Sequence, residues 1–313
     1  MISIIIPIYN EEENLLKLQE RLDAVCSQWD ESYEIILVND GSKDNSLSIM
    51  RSLVDRDSHY QVLTLSRNYG HQAAISAGLT YVEGDTIAIM DGDLQDPPEE
   101  IDRFVKKLRS GYDVVYAVRI KRKEGFFKRI SYAVFYRLLS LISDIDIPLD
   151  SGDFSVFNKK VLNALNNHLP EKIRFVRGLR AYVGFRQTGM EYIRDERHAG
   201  KSKYTFGKLL KLAFDGLFDF SVFPLRIASY LGFFIAFSAF FVGIFFIFHR
   251  IIGFKVFGHI PIENPGLATT IVGIFFLSGV ILIILGIIGE YIGRIYFEVK
   301  RRPFFIVDEI YQK

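Results

Sequence analysis

The run Asp91-Gly92-Asp93-Leu94-Gln95 sets two carboxylates one residue apart with a glycine between them. The glycine permits a tight bend, so both carboxylates can face one hard divalent cation, and the Gln95 amide oxygen can add a ligand. Mg2+ or Mn2+ held this way would neutralise a diphosphate and stabilise the charge that develops as it departs. An Asp-Gly-Asp triplet also ends strands in turns, so the setting matters. Residues 1–100 carry 6 basic and 19 acidic side chains, residues 101–226 carry 25 and 13, and residues 227–313 carry 7 and 5. The formal net charge of +1 therefore conceals an acidic block beside a basic one. The first suits cations, the second phosphates or anionic lipid, and the near-neutral total excludes a strongly basic nucleic-acid binder.

A second cluster, Asn39-Asp40-Gly41-Ser42-Lys43-Asp44, reads two ways. Ser42 or Asp44 can bond the first N–H groups of a following helix. Asp40 can stand as an exposed carboxylate that accepts hydrogen bonds from a nucleobase or ribose. The two roles use different residues and are compatible.

These residues need elements to position them. Apolar, β-branched runs at Ile2–Ile8, Glu34–Val38, Gln61–Leu65, Asp85–Met90 and Asp113–Val118 alternate with amphipathic stretches near 12–28, 44–57, 69–82 and 98–110. That alternation predicts an α/β domain with a mostly parallel sheet covered on both faces. Ligands in such sheets bind beyond the C-terminal strand ends. The polar clusters fall there: Tyr9-Asn10-Glu11, Asn39 to Ser42, Ser66-Arg67-Asn68, Asp91-Gly92-Asp93 and Arg119.

The composition, 49% hydrophobic with 28 Phe and one Cys, excludes a disordered chain and a disulfide scaffold. Its apolar residues concentrate in two uncharged stretches, Ile227–Phe248 with 22 residues and Pro265–Gly289 with 25. Each suffices to cross a hydrocarbon core about 30 Å thick as a helix. Lys201, Lys203, Lys208, Lys211 and Arg226 precede the first, and Arg294, Lys300, Arg301 and Arg302 follow the second. The intervening link has only Arg250 and Lys255, so the positive-inside rule puts both termini in the cytoplasm. The first residues lack the basic leader of a signal peptide, and Cys26 reads as a small core residue. Two further segments interleave cations with aromatic residues, near 126–143 and at 205–223, in the manner of amphipathic helices at a membrane interface. The predicted organisation is a catalytic domain over 1–204, an interface helix over 205–223, two membrane helices within 224–293 (about 227–248 and 267–289), and a cytoplasmic tail over 294–313.

Pro7-Ile8-Tyr9-Asn10-Glu11-Glu12, Val38-Asn39-Asp40-Gly41-Ser42, Arg67-Asn68-Tyr69-Gly70 and Asp91 to Pro98 together resemble glycosyltransferase family 2 with a GT-A fold. Within it the chain is most similar to polyprenyl-phosphate glycosyltransferases, through Ser151-Gly152-Asp153-Phe154, Glu196 to Tyr204 and Leu285 to Arg294. The resemblance implies donor-nucleotide positions at Pro7, Tyr9, Glu11, Asp40 and Asp91. It implies a metal and diphosphate site at Asp91, Asp93 and Gln95, and a catalytic position at Asp153. A phosphomonoester acceptor is already largely ionised near neutral pH, so Asp153 orients the acceptor or balances charge as readily as it acts as a base.

The implied reaction is inverting transfer of a hexose from a nucleoside-diphosphate sugar to a polyprenyl (undecaprenyl) phosphate at the inner, plasma membrane. Glucose from UDP-glucose is the expected donor, by similarity to the bactoprenol glucosyltransferases. GDP-mannose, a UDP-N-acetylhexosamine and UDP-aminoarabinose are the alternatives. Arg119, Arg129, Arg197 and Lys203 are the candidates for gripping the lipid phosphate, arginine being suited to bidentate contact. A separate flippase and a downstream transferase are expected as partners, and Gly273, Gly279, Gly286, Gly289 and Gly293 offer small surfaces for a homo-oligomer. A processive polysaccharide synthase is disfavoured because the only Trp is Trp29, with no Gln-x-x-Arg-Trp motif. A non-catalytic membrane scaffold is disfavoured by the intact Asp40, Asp91, Asp93 and Asp153.

Overall fold

The computed structural model describes residues 1–120, 151–169, 171, 174–195, 223–252 and 267–313. It divides into one unit of Met1–Gly216 with Arg301–Lys313 and a second of Leu217–Lys300. The first is built on the expected alternation: β1 (Ile2–Ile8), α1 (Leu15–Cys26), β2 (Tyr33–Asn39), α2 (Ser46–Arg56), β3 (Tyr60–Leu65), α3 (His71–Thr80), β4 (Thr86–Ile89), α4 (Glu100–Arg109) and β5 (Val114–Ile120). All seven residues of β1 are buried, because the strand lies inside a sheet covered on both faces. Three strands complete the sheet, β6 (Ser151–Asn158), β7 (Gln187–Ile193) and β8 (Val307–Tyr311). Between β6 and β7 lie a short α5 (Lys159–Asn163), a π turn over Ala164–His168, and α6 (Val176–Tyr182).

The eight strands run in the order β7-β5-β6-β4-β1-β2-β3-β8. The expectation of a mostly parallel sheet holds for β1 with β2 and β4, for β2 with β3 and for β5 with β7. Strand β6 is the exception that shapes the site. It runs antiparallel between β4 and β5, with Ile89 opposite Ser155. Continuing that register brings Asp153 to the level of Asp91. Ser151-Gly152-Asp153, cited above for the family resemblance, is the opening of this strand.

The C-terminal residues, read above as a tail, also enter the sheet. β8 pairs antiparallel with β3, and the Ser66 N–H donates to the Ile306 carbonyl at 3.0 Å. Arg51 pairs with Glu309, and the Tyr311 hydroxyl donates to Asp55 at 2.8 Å. The charged pair Asp308-Glu309 suits an edge strand, and here β8 closes the β3 edge.

The core under α1, α2 and α4 contains Phe104 of α4, Phe154 of β6 and Tyr192 of β7. Ring centroids lie 5.0 Å apart for Phe104 with Phe154 and 5.6 Å for Phe154 with Tyr192. Through its hydroxyl, 2.7 Å from Asp96, Tyr192 links this ring cluster to the loop after β4. In the second unit, α7 (Phe223–Ile252) and α8 (Leu267–Val299) extend beyond the predicted spans at both ends or at one. Pro224–Val242 and Gly273–Val299 are long and apolar enough to cross a membrane, and 6% and 0% of these windows are buried by the chain. Uncovered apolar surface of this extent calls for lipid or another apolar partner. On α8, Arg294 and Glu290 form the i, i+4 pair expected from their spacing, at 2.9 Å. The predicted interface segment near 126–143, and that over 205–223 apart from Phe223 at the start of α7, lie outside the described residues.

Phe104→Ala is expected to lower the stability of this unit by about 3–5 kcal/mol, measured by denaturant unfolding of the purified full chain. Burial pushes the Cys26 thiol up to about 12, reinforced by Asp23 and Asp57. Iodoacetamide should therefore label Cys26 only as the protein unfolds, and rapid labelling of the native chain would contradict this placement.

Candidate active site

The first two strand-end loops are tied together by side chain to backbone bonds. Asn10 N donates to Ser42 Oγ at 3.1 Å, Glu11 N to Ser46 Oγ at 3.0 Å, and Lys43 N to Asn10 Oδ1 at 2.8 Å. Asp44 accepts from the Ser46 N–H, the helix-capping role foreseen for it, and also from Glu12 N. Pro7 is buried in β1, while Tyr9 and Glu11 beyond it are half-buried. Glu11 also accepts from Asn14 Nδ2 at 2.6 Å.

Asp40 is placed differently from expectation. It is 3% exposed rather than an open carboxylate. Its Oδ1 accepts the Tyr69 N–H at 2.7 Å and its Oδ2 the Gly70 N–H at 3.0 Å. Asn68 Nδ2 donates to the Asp40 carbonyl at 3.1 Å. Burial raises the Asp40 pKa, and the two N–H bonds pull it back. The physical reason for the difference is that the loop after β3 folds over the end of β2. Asp40 thereby fastens the loop that leads into His71.

The fourth strand end carries Asp91, Gly92 and Asp93. Leu94 has a φ of 62° with its side chain buried, and this left-handed turn brings Gln95 N to Asp93 Oδ1 at 3.2 Å. The segment is pinned to the residues after β7. Asp195 N donates to the Gln95 carbonyl at 3.0 Å, and Arg21 bonds Asp195 at 3.0 Å and Glu99 at 2.7 Å. Asp96 is fully buried and accepts from the Tyr192 hydroxyl at 2.7 Å. Arg194 lies 3.6 Å from both Asp91 and Asp96.

Asp153, opposite this loop on β6, joins the cluster through His71 at the start of α3. The His71 Nε2 is 3.4 Å from Asp91 and 3.3 Å from Asp153. Burial alone would lower the His71 pKa. The Asp153 bond and the Asp91 charge outweigh it and raise the value to about 9, so the imidazolium form prevails at neutral pH. Gln72 Nε2 donates to Asp153 at 3.1 Å, and Gln72 Oε1 accepts the Val176 N–H at 2.8 Å. Arg177 approaches the other Asp153 oxygen at 3.7 Å. Burial works against ionisation of Asp153, yet Arg177, His71 and Arg180 hold its carboxyl well below the usual range. Such a carboxylate is a poor proton acceptor at neutral pH, which favours an orienting or charge-balancing role over that of a base.

The site thus gathers Pro7, Tyr9, Glu11, Asp40, Asp91, Asp93, Gln95 and Asp153 at one edge of the sheet. Arg119 lies on β5 opposite Tyr192. Arg129, Arg197 and Lys203 lie outside the described residues. His71, Gln72, Arg177, Arg180 and Arg194 were missed by sequence reasoning. A signal existed for His71, which directly follows the Arg67-Asn68-Tyr69-Gly70 motif, but nothing local marks Arg177 or Arg180.

The residues present fit a hard divalent cation. Burial raises the Asp91 pKa to about 6, His71 opposes this, and Asp96, Asp93 and Asp153 add to it. A cation would relieve that crowding of negative charge. Among the described residues no three His, Cys, Asp or Glu converge as a protein-only ligand set. Mg2+ does not need one, since it commonly takes one or two carboxylates with substrate phosphates.

Gly41 has a φ of +65°, and a Cβ there would lie 2.6 Å from the Arg67 carbonyl carbon and the Asn68 nitrogen. Gly41→Ala should lower the melting temperature by several degrees, since backbone atoms cannot yield as a side chain would. Differential scanning calorimetry checks this.

The family model for glycosyl transferase family 2 matches residues 3–165. An uncharacterized glycosyltransferase of Bacillus subtilis, YkcC, is 48% identical over 310 residues, covering 99% of this chain and 94% of that protein. A bactoprenol glucosyl transferase of Shigella phage SfV is 39% identical over 313 residues, covering 100% and 99%. A solved structure of glucosyl-3-phosphoglycerate synthase from Mycobacterium tuberculosis has a TM-score of 0.45 at 16% identity, over 70% of this chain and 77% of that one. With the family model spanning β1 to β6 and the relatives matching end to end, the chain belongs to glycosyltransferase family 2, as an enzyme with a GT-A fold.

Proposed function

We propose that the chain transfers glucose from UDP-glucose to undecaprenyl phosphate, with inversion at the anomeric carbon, on the cytoplasmic face of the plasma membrane. The observation that carries this reading is the end-to-end match, at 39% identity, to a protein named as a bactoprenol glucosyl transferase. An acceptor phosphate oxygen forms the new bond to the anomeric carbon as the bond to the diphosphate breaks, and UDP departs. Asp91, Asp93 and Gln95 would hold Mg2+ or Mn2+, which when bound offsets the charge of the diphosphate. Pro7, Tyr9 and Glu11 line the nucleotide pocket, and Asp40 acts there through the loop it fastens. Asp153 orients the reacting groups as a fixed carboxylate. Arg119, Arg129, Arg197 and Lys203 draw in the lipid phosphate.

The sheet supports a hairpin topology. Residues 1–120 and 307–311 contribute strands to the same sheet, which supports an even number of crossings between them. With α7 and α8 as the crossings, the positive-inside count puts the catalytic unit and both termini in the cytoplasm.

Purified protein with radiolabelled UDP- and GDP-sugars, undecaprenyl phosphate and Mg2+ or Mn2+ tests the reading. Glucose is expected in the lipid fraction, with EDTA abolishing transfer and added cation restoring it. Asp93→Asn and Asp153→Asn should each lower kcat by at least about 100-fold, in line with losses of a transition-state contact. Transfer of a different sugar would correct the donor. Absence of any lipid-linked product from folded, membrane-inserted protein would refute the reading.

A further inference from the structure

Three arginines stand at three-residue intervals before and within α6, and the fold uses each differently. Arg174 donates to the carbonyls of Leu165 and Leu169, closing the π turn. Arg177 is 19% exposed and reaches Asp153. Arg180 is 2% exposed, and among the described residues its Nε and Nη2 have no hydrogen-bond partner. It packs over the Tyr116 ring at 5.5 Å and shares the charge of Asp153 with Arg177.

A buried guanidinium with unmet N–H groups is costly unless something is to be bound there. Arg177, Arg180 and the His71 imidazolium thus converge on the single carboxylate of Asp153. Arg177 approaches the Asp153 oxygen other than the one that meets His71, the residue that bridges to Asp91. An in-line displacement needs its nucleophile opposite the leaving diphosphate, and the diphosphate belongs at Asp91 and Asp93.

We infer that Arg177 and Arg180 form an anion subsite beside Asp153 that seats the monophosphate of the acceptor. This rests on the proposed transfer to a lipid phosphate, and it adds the final seat of that phosphate to the candidates at Arg119, Arg129, Arg197 and Lys203. A phosphomonoester carries close to two negative charges at neutral pH and three acceptor oxygens, matching two guanidinium groups. Gln72 ties this subsite to the reaction centre, because it holds Asp153 with one end of its amide and the first turn of α6 with the other.

The test is calorimetric titration of the full chain in detergent with farnesyl phosphate and, separately, with UDP and Mg2+. The variants are Arg177→Gln, Arg180→Met and Arg180→Lys. Farnesyl phosphate affinity is expected to fall at least tenfold in Arg177→Gln and in Arg180→Met, with UDP affinity within twofold of wild type. Arg180→Lys should recover part of the loss. If Arg180→Met does not fold, Arg177→Gln, whose side chain reaches the surface, decides alone. Unchanged farnesyl phosphate affinity in Arg177→Gln, or no binding by wild type, overturns the inference. A loss of UDP affinity in place of phosphate affinity also overturns it and assigns the arginines to the donor. If wild type binds farnesyl phosphate through these arginines yet transfers no glucose, the donor reading fails and the anion subsite stands.

Discussion

Four carboxylates, Asp40, Asp91, Asp96 and Asp153, are wholly or largely withdrawn from water at one edge of an apolar sheet, and the rest of the site follows from how each is compensated. Asp40 takes two backbone N–H groups, Asp96 the Tyr192 hydroxyl, and Asp153 the side chains of His71 and Gln72 with Arg177 nearby. Asp91 is the least compensated, and its raised pKa records this. Burying charge without partners would cost several kcal/mol per group. The compensating donors come from the loop after β3, from α3, from α6 and from β7, so satisfying the carboxylates also fixes the relative placement of these elements.

This compensation draws cations from two directions. Arg194 approaches Asp91 and Asp96 at the end of β4, while α6 brings guanidinium groups to Asp153. His71 stands between the two, within 3.4 Å of Asp91 and 3.3 Å of Asp153. Its charge is set by both acids together, which makes it a strut between them.

The C-terminal strand adds a constraint of a different kind. β8 follows directly after the long apolar helix α8 and returns the chain to the catalytic sheet. Its neighbour Ile306 accepts a hydrogen bond from Ser66, at the start of the loop whose Tyr69 and Gly70 hold Asp40. The two apolar helices are therefore an insertion, in the order of the chain, between strands of one sheet.

Much of this protein is written locally. The alternation of apolar strands and amphipathic helices, the polar strand ends, the acidic loop at Asp91 and Asp93 and the two uncharged stretches are short-range patterns, so the fold class, the family and the strand ends that carry the candidate site are legible in them. What the sequence leaves open depends on pairings between distant residues. Gln72 meets Asp153 across 81 residues and Val176 across 104. The antiparallel insertion of β6, the burial of Asp40 and the return of β8 likewise depend on strand order. Neither residue type nor local spacing encodes these, because a strand's neighbours are chosen by the packing of the whole sheet. That Asp153 comes level with Asp91, and that two arginines of α6 act on it, follows from the assembled sheet.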